Sequence, residues 1–312
     1  MYNKIRQNVN GKDAIVVSGL GEYNLTDTLE CGQCFRFERV PNENGIAEYV
    51  IVVKNLLINV AQERLGELIF YGISDDEFDS VAAPFFALDR DLDEIKEDVI
   101  LHTDSEWLRE AAEAGAGIAI LKQDPWEALF SFIVSQNNNI PRIRKIIKGI
   151  CGEYGVNLSL HKTCILKKYV TPCEEFCKDC GVCYTFPTPD DIIANPDGLL
   201  PSKPGFRFKY LLDAASRVKS NEVNLSEIES ANSYDYTMEK LQQIKGVGEK
   251  VASCAALFGF GNLEAFPIDV WMKRAIDVYF NGELDPDSLG KYAGVAQQYI
   301  FNHIRNTEAS VK

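Results

Sequence analysis

The sequence predicts an α+β protein in which an N-terminal antiparallel β-sheet domain with helices precedes an all-α domain. Runs rich in β-branched residues at 14–17, 49–53 and 56–60 are typical of strands. From about residue 119 the apolar residues recur instead at helical spacing, between capping residues and prolines. We therefore expect an N-terminal β-rich domain over residues 1–118 and a helical domain over residues 119–312.

The connections between these runs indicate where the chain turns and where helices begin. Lys54-Asn55 separates two strand-like runs by only two residues, and the segment 41–45 has the composition of a turn. Asp124 stands before Pro125 as an N-cap stands before a proline in the first helical position. The expected helices span residues 75–87, 91–99, 104–113, 126–134, 141–151, 189–194, 206–219, 235–244, 249–259, 270–280 and 287–304.

The composition is that of a globular protein, with 46% hydrophobic and 25% charged residues. No apolar run reaches the ~18 residues of a membrane span. The first six residues lack the apolar core of a signal peptide. We therefore expect a cytoplasmic, monomeric protein with no membrane partner.

The net charge of −14 at first argues against binding to nucleic acid. The charges are unevenly distributed, however, since residues 136–274 hold 18 lysines and arginines against 16 aspartates and glutamates. Ten acidic residues lie within 74–98, where we expect a solvated face. Because the local field determines phosphate affinity, DNA binding by the helical domain is compatible with this composition.

The most informative segment connects two helices through Gly246-Val247-Gly248. The glycines permit a hairpin with positive φ, and its backbone N–H groups can bind a phosphate without a basic side chain. Lys250 falls in the first turn of the second helix, where the helix dipole disfavours a charged amine and so favours a nucleophilic one. Asp269, nineteen residues later, fits either an N-cap or a functional carboxylate beside the lysine.

The hairpin, lysine and aspartate together resemble the helix-hairpin-helix DNA glycosylases. The resemblance implies that the second domain has their all-α helix-hairpin-helix fold. It implies that Lys250 is the nucleophile and that Asp269 stabilises the cationic sugar. It also implies that Gly246, Val247 and Gly248 contact DNA.

Two further segments are similar to the 8-oxoguanine DNA glycosylases within that superfamily. An asparagine-rich loop begins at Asn137 and is followed by Arg142, and a segment that resembles the family's wedge contains Phe206-Arg207. The resemblance implies that Asn137 and Arg142 contact the cytosine left unpaired when the lesion is flipped out. It implies that Phe206 fills the gap in the base stack and that Arg207 contacts the same cytosine. From the residues alone, the loop could equally be a polar turn and Phe206 a packed residue at a helix start.

Other residues resemble those with which the family contacts the oxidised base. Gly32 aligns with the family glycine whose carbonyl accepts a hydrogen bond from N7–H of 8-oxoguanine, a proton that guanine lacks. In the family, residues that match Cys254 and Phe301 flank the flipped base, and the residue that matches Gln297 contacts its Watson–Crick edge. Gln297 and Phe301 lie four residues apart and so share a helix face, although Phe301 alone could be an ordinary core residue.

A cysteine-rich insert at about 161–186 departs from the family pattern. It holds four cysteines within eleven residues, namely Cys173, Cys177, Cys180 and Cys183. In a cytosolic protein such density favours a metal over disulfides, and four thiolates could bind structural zinc or an iron–sulfur cluster. Cys31 and Cys34 could form a redox or metal pair, but the packed core of a hairpin explains both cysteines better.

Another departure is Trp271, two residues after Asp269. Animal enzymes of the family carry a histidine here that contacts phosphate. Because an indole donates one N–H and does not titrate, we expect altered contacts to the DNA backbone with the lyase chemistry intact.

With the resemblance, the sequence predicts a bifunctional 8-oxoguanine DNA glycosylase and AP lyase that acts on the chromosome. Its partner is double-stranded DNA containing oxidised guanine, and no cofactor is required for catalysis. Two alternatives stay open: a helix-hairpin-helix glycosylase for another damaged base, and a non-catalytic helix-hairpin-helix DNA-binding protein. A metal-dependent nuclease fits less well, because the chain has only three histidines that could bind a metal.

Overall fold

The N-terminal part of the chain forms a six-stranded antiparallel sheet in the computed structural model, which describes residues 2–41, 45–158 and 183–309. The strands are β1 (Asn3–Val9), β2 (Lys12–Ser18), β3 (Phe37–Arg39), β4 (Ala47–Val53), β5 (Leu56–Gln62) and β6 (Glu67–Tyr71). They lie in the order β1-β2-β6-β5-β4-β3. The later four strands are therefore a meander, and the hairpin of β1 and β2 joins it at β6.

The three predicted strand runs are confirmed as β2, β4 and β5, and the two-residue turn at Lys54-Asn55 joins the latter two. The predicted turn at 41–45 lies partly outside the described residues. Strands β1, β3 and β6 were not predicted. Strand β1 is exposed along most of its length and pairs with β2 from Asn3 opposite Ser18 to Val9 opposite Lys12. Backbone pairing rather than an apolar pattern holds this edge strand, and the sequence therefore gives little sign of it.

Helices make up most of the remaining described chain, which confirms the α+β class. The N-terminal part of the chain contains α1 (Leu25–Glu30), α2 (Asp75–Glu77), α3 (Ala83–Phe85), α4 (Leu92–Leu101) and α5 (Glu106–Ala114). The helical part contains α6 (Pro125–Ser135), α7 (Ile140–Tyr154), α8 (Pro189–Ala194), α9 (Phe208–Lys219), α10 (Leu225–Ala231), α11 (Tyr234–Leu241), α12 (Glu249–Ala255), α13 (Val270–Tyr279) and α14 (Ala293–Ala309). A π-helical turn at Ala256–Phe260 extends α12. None of the described helices combines the length and apolarity that a membrane span requires.

Side-chain caps determine where α6 and α7 begin. Asp124 accepts hydrogen bonds from the backbone N–H groups of Trp126 and Glu127, each 3.0 Å long, and so starts α6 as predicted. Asn139 accepts from the N–H of Arg142 at 3.0 Å and starts α7. The asparagine-rich loop between the two helices is therefore short and has a capped exit.

A row of aromatic rings joins the sheet to the helices. The ring of Phe35, just before β3, meets Phe132 of α6 edge-on at a centroid distance of 5.7 Å. Phe132 in turn stacks on Phe258 at 5.2 Å with an interplanar angle of 20°. The C-terminal helix α14 packs against α5, so that residues from both predicted domains share one apolar core. The boundary at 118/119 stays a prediction.

Arg36 lies at the same seam and is only 3% exposed. Its guanidinium forms an ion pair with Glu127 of α6 at 2.8 Å. It also donates hydrogen bonds to the carbonyls of Val52 in β4 (3.1 Å) and of Tyr184 (2.9 Å). Burial raises the pKa of the Glu127 carboxyl, and the positive charge of Arg36 opposes that shift. Either partner left alone would be an uncompensated buried charge, which makes the pair costly to break.

Replacement of Arg36 by methionine is expected to lower the free energy of unfolding by about 3–5 kcal/mol, because Glu127 would keep its charge without a partner. Urea unfolding of Arg36→Met measures this loss. The double variant Arg36→Met/Glu127→Leu is expected to recover part of it, since it removes the orphaned charge. Equal losses in the single and double variants would show that the unpaired carboxylate is not the cause.

Candidate active site

A cleft with a volume of about 1040 Å³ opens along the seam between the sheet and the helices. Most of the predicted catalytic and base-recognition residues line it, although they come from distant parts of the chain. The predicted residues that line the cleft are Gly32, Asn137, Gly246, Gly248, Lys250, Cys254, Asp269, Gln297 and Phe301. The fold thus brings the proposed nucleophile and the proposed base pocket into one cavity. Val247, Arg142, Phe206 and Arg207 lie outside its lining.

Lys250 occupies the first turn of α12, two residues after the N-cap residue Gly248. Its Nζ donates a hydrogen bond to Oγ of Ser135 at 3.3 Å. The amine also lies 5.5 Å from the ring centroid of Phe132, within the range of a cation–π contact. The amine is therefore held by one hydroxyl and one aromatic face at the end of the cleft.

Cys254 lies one turn after Lys250 and is buried. Burial raises the pKa of its thiol, and the neighbouring Lys250 charge opposes that shift while Asp269 reinforces it. Cys254 is therefore a neutral thiol at neutral pH. A neutral thiol presents a soft, polarisable surface to a base and adds no negative charge beside the lysine.

Asp269 is the N-cap of α13, as one reading of the sequence expected. Its Oδ1 accepts a hydrogen bond from the backbone N–H of Met272 at 2.9 Å. A carboxylate has two oxygens with several acceptor positions, so capping leaves it able to act elsewhere. Because the side chain is only partly buried and lines the cleft, the capping and functional readings are compatible.

The glycine hairpin has one residue with positive φ rather than two. Gly246 has φ +81°, and a Cβ there would lie 2.5 Å from the ring of Tyr210. Gly248 has φ −94°, so the expectation of positive φ at that position is wrong. Val247 is buried between the two glycines and donates its N–H to the carbonyl of Ile244 at 3.0 Å. The hairpin is therefore anchored by an apolar side chain while its glycines face the cleft.

Gly32 sits at the end of α1 with φ +92°. Its neighbour Gln33 is fully buried and donates hydrogen bonds to the carbonyls of Thr28 and Ala119, each 2.8 Å long. The same side chain accepts from the N–H of Leu121 at 2.8 Å. The backbone at Gly32 is thus fixed by an amide that connects α1 to the segment between the domains.

Gln297 and Phe301 project from one face of α14 toward the cleft. Gln297 is buried, and its Oε1 accepts a hydrogen bond from the side-chain amide of Gln298 at 2.8 Å. A Cβ placed on Gly32 would lie 3.6 Å from Cε1 of Phe301. The helix therefore carries an oriented amide and an aromatic edge next to the glycine.

The side chains of the three consecutive asparagines have different surroundings. Asn139 caps α7, and the side chain of Asn138 donates to the carbonyl of Val134 at 3.1 Å. Asn137 has φ +45° and its side chain is exposed at the cleft. All three asparagines line the cleft, and the contact of Asn137 with DNA stays a prediction.

Phe206 and Arg207 lie at the start of α9, where Phe206 is 48% exposed. Arg207 is buried and donates to the backbone carbonyls of Asn137 (3.0 Å) and Pro204 (3.2 Å), and also to that of Gln136. Burial, and then the positive charge of Arg142, lower the pKa of Arg207. The predicted contact of Arg207 with a base would require its guanidinium to leave these carbonyls. Arg142 itself is exposed beside the loop.

The predicted metal ligands Cys173, Cys177 and Cys180 lie outside the described residues. Cys183 is buried, and its backbone carbonyl accepts a hydrogen bond from the N–H of Leu158 at 2.8 Å. Within residues 2–41, 45–158 and 183–309, no group of three or more His, Cys, Asp or Glu side chains is arranged to hold a metal.

Cys31 and Cys34 are free, buried thiols next to Gly32. Burial raises the pKa of Cys31 to about 11, and burial also raises the pKa of Cys34. Thiols in this state are poor nucleophiles and poor metal ligands. Of the two readings of this pair, the structure favours packing.

Comparison with known proteins finds relatives that cover nearly the whole chain. Residues 15–129 match the family model described as the N-terminal domain of 8-oxoguanine DNA glycosylase. A structure of a protein called MBOgg1, in complex with a low-affinity DNA ligand, is 34% identical, with 99% of each chain covered and a TM-score of 0.83. This chain belongs to the 8-oxoguanine DNA glycosylase family.

Other members of the 8-oxoguanine DNA glycosylase family agree with this. An 8-oxoguanine glycosylase/lyase from Clostridium acetobutylicum, solved with double-stranded DNA containing cytosine opposite 8-oxoG, is 32% identical. That comparison covers 99% of this chain and 98% of the other, with a TM-score of 0.80. An N-glycosylase/DNA lyase from Saccharomyces cerevisiae is 28% identical over 273 residues, which is 81% of this chain and 67% of that protein.

The cleft is also lined by residues that the sequence analysis did not single out, among them Ser135, Gln298 and Arg305. Ser135 lies just before the asparagine-rich loop, and Gln298 lies beside the predicted Gln297. Arg305 could have been found, because it is four residues after Phe301 and so shares its helix face.

The two hairpin glycines offer a matched pair of variants. Gly246→Ala is expected to cost about 2–4 kcal/mol of folding free energy, because it combines a positive φ with a clash against Tyr210. Gly248→Ala meets nothing within 4 Å and should fold with a loss of less than about 1 kcal/mol. Its methyl group would nevertheless obstruct a phosphate at the hairpin, and the affinity for duplex DNA should fall about tenfold.

Thermal unfolding and fluorescence anisotropy with a labelled duplex separate these effects. Unchanged DNA affinity in Gly248→Ala would show that the hairpin backbone does not approach the phosphate. Equal stability of the two variants would contradict the packing argument for Gly246.

Proposed function

We propose that this protein excises 8-oxoguanine from double-stranded DNA through a lysine Schiff base and then cleaves the strand by β-elimination. The observation that carries the proposal is the convergence of Lys250, Asp269 and the base-recognition residues on a single cleft. Relatives of this chain are named N-glycosylase/DNA lyase or 8-oxoguanine glycosylase/lyase, which supports both activities. The protein is proposed to work as a monomer on the chromosome in the cytoplasm.

The lysine performs the first covalent step. The amine of Lys250 attacks C1′ of the flipped nucleotide, and the electron pair of the glycosidic bond leaves with the oxidised base, which then takes up a proton. The Asp269 carboxylate stabilises the positive charge that develops on the sugar in this step. The hydroxyl of Ser135 and the face of Phe132 hold the amine in position before attack.

Strand cleavage follows from the same covalent bond. After ring opening, the attached amine forms a Schiff base with C1′. Loss of a proton from C2′ then expels the 3′ phosphate, so that the chain breaks on the 3′ side of the lesion. This sequence uses a side-chain amine and a carboxylate, and it requires no cofactor.

Selection of the oxidised base is assigned to the pocket between α1 and α14. The carbonyl of Gly32 accepts from N7–H of 8-oxoguanine, whereas guanine would present a lone pair to that carbonyl. Gln297 contacts the Watson–Crick edge, with its Oε1 oriented by Gln298. Phe301 and the neutral thiol of Cys254 pack on the two faces of the base.

The remaining DNA contacts are assigned to the rim of the cleft. The exposed ring of Phe206 enters the base stack, and Asn137 and Arg142 contact the unpaired cytosine. Arg207 contacts the same cytosine once its guanidinium has left the carbonyls of Asn137 and Pro204. The glycine hairpin binds a phosphate of the lesion strand. Trp271, which lines the cleft beside Asp269, takes the place of a phosphate-contacting histidine.

A structural metal on the cysteine-rich insert is a separate proposal. It is supported by the spacing of Cys173, Cys177, Cys180 and Cys183. The metal content of the purified protein, measured by atomic emission, tests it directly. Zinc near one equivalent, or iron near the roughly two or four equivalents of an iron–sulfur cluster, would support the proposal, and neither metal above background would refute it.

Borohydride trapping tests the nucleophile. Wild-type protein is expected to form a covalent adduct with a duplex that contains 8-oxoguanine opposite cytosine, because borohydride reduces the Schiff base. Lys250→Gln removes the amine and should give no adduct and no cleavage, while it still binds the duplex. An adduct with Lys250→Gln, or none with the wild type, would contradict the assignment of Lys250.

Asp269→Asn separates the charge of Asp269 from its capping role. Asparagine caps helices about as well as aspartate, so the melting temperature should stay close to that of the wild type. Base excision should slow about 100-fold or more in single-turnover assays, because an amide does not neutralise the developing cation. An unchanged excision rate would show that Asp269 acts only as a helix cap. Wild-type protein assayed in parallel on other damaged bases would reveal a preference for a base other than 8-oxoguanine.

A further inference from the structure

Arg305 lies on the face of α14 that forms the base pocket, in line with the residues proposed to contact the base. It follows Phe301 by one turn and Gln297 by two, and it lines the cleft. It is an additional charged side chain on this helix face, and none of the catalytic steps proposed above involves it.

Of the two terminal nitrogens of Arg305, one has a hydrogen-bond partner among the described residues and the other does not. Nη2 donates a hydrogen bond to the backbone carbonyl of Glu30, at the end of α1, at 3.0 Å. The guanidinium carbon lies 5.6 Å from the ring centroid of Phe301. Nη1 is buried and has no hydrogen-bond partner among the described residues. A buried donor of a charged group is costly when it is unsatisfied, so this one calls for an explanation from function.

The unpartnered nitrogen is close to the glycine that distinguishes the lesion. A Cβ placed on Gly32 would lie 3.8 Å from Nη1 of Arg305 and 3.6 Å from Cε1 of Phe301. The bond to Glu30, only two residues before Gly32, fixes the guanidinium in this place. The Nη1 donor of Arg305, the ring edge of Phe301 and Gly32 therefore surround the same small space.

The chemistry of the base identifies what the donor would meet there. In 8-oxoguanine the N7–H group lies between two carbonyl oxygens, O6 on one side and O8 on the other. When N7–H is bonded to the carbonyl of Gly32, a donor beside that carbonyl faces one of these two acceptors. A guanidinium is a suitable donor, since it stays charged and holds its N–H groups in a rigid plane.

We propose that Arg305 is a specificity-determining residue, and that its Nη1 donates a hydrogen bond to a carbonyl oxygen of the flipped base next to N7. The inference rests on the proposed function, because it assigns a contact to the substrate of that same site. Together with Gly32 it would give a paired contact, in which the protein accepts from N7–H and donates to the adjacent oxygen. Such a pair matches the donor and acceptor order of the oxidised edge.

Abasic DNA separates base recognition from the rest of the site. Cleavage at an abasic site needs the lysine and the DNA contacts, but there is no base for Arg305 to contact. Arg305→Met is therefore expected to lower the single-turnover excision rate of 8-oxoguanine about 10- to 100-fold, as for one charge-assisted hydrogen bond. Its cleavage of abasic duplex and its borohydride trapping should match the wild type.

Two variants control for the structural bond to Glu30. Arg305→Lys can keep a donor for the Glu30 carbonyl but cannot serve two acceptors in a plane, so it should lose excision while it keeps the melting temperature. Arg109→Met removes a comparable bond, from Nη2 to the backbone carbonyl of Thr103 at 2.8 Å, at an exposed site outside the cleft, and should leave both activities unchanged. Parallel losses of excision and abasic cleavage in Arg305→Met would show a purely structural role and overturn the proposal.

A substrate without O6, 2-amino-8-oxopurine, locates the acceptor. If Arg305 contacts O6, wild type and Arg305→Met should excise this base at equal rates, and if it contacts O8 the penalty should persist. Equal rates of the two proteins on 8-oxoguanine itself would overturn the assignment of Arg305 alone. Wild-type protein that cleaves abasic DNA and leaves 8-oxoguanine in place would instead overturn the proposed function.

Discussion

The buried polar network around Gln33 and Arg36 fixes the sheet against the helices, and the cleft depends on that alignment. Gly32 belongs to the sheet domain, whereas the lysine and the aromatic of the base pocket come from helices more than 200 residues later. A shift of one part against the other would separate Gly32 from Lys250 and Phe301, which line one cleft. Gln33 connects α1 to the segment between the domains, and Arg36 connects β4 to α6. Fully bonded buried networks are rigid, because every alternative arrangement leaves a polar group without a partner.

Charge explains how an acidic protein can have a DNA-binding cleft. Part of the acidic run at 74–98 pairs with β1 at the edge of the sheet, where Lys4 contacts Asp79 at 2.8 Å and Arg6 contacts Asp75 at 3.0 Å. These exposed pairs add little stability, but they place negative charge away from the cleft. The described lining of the cleft itself holds four basic side chains against three acidic ones. DNA affinity therefore has to come from short-range contacts at the rim more than from long-range attraction.

The sequence predicted what depends on local pattern, and it missed what depends on distant contacts. Strands β2, β4 and β5 and the cap at Asp124 follow from residues close together in the chain. The positions of Lys250 and Asp269 follow from a motif whose spacing is local. By contrast, Arg305 meets Glu30 across 275 positions, and nothing near either residue signals the contact. The expectation of a positive φ at Gly248 is also wrong, because the chain leaves the hairpin there in an extended conformation.

The proposed base pocket combines neutral groups with the guanidinium of Arg305, and this combination suits discrimination between two bases that differ by little. The carbonyl of Gly32, the amide of Gln297 and the neutral thiol of Cys254 carry no charge, so they attract no base strongly on their own. A mismatch between an acceptor and a lone pair costs about 1–3 kcal/mol when both groups are buried. A second contact at O8, which guanine lacks, would add to this preference, provided that the donor cannot move away. The carbonyl of Glu30 holds the guanidinium in place, so a lesion that presents donor and acceptor in the matching order satisfies both contacts at once.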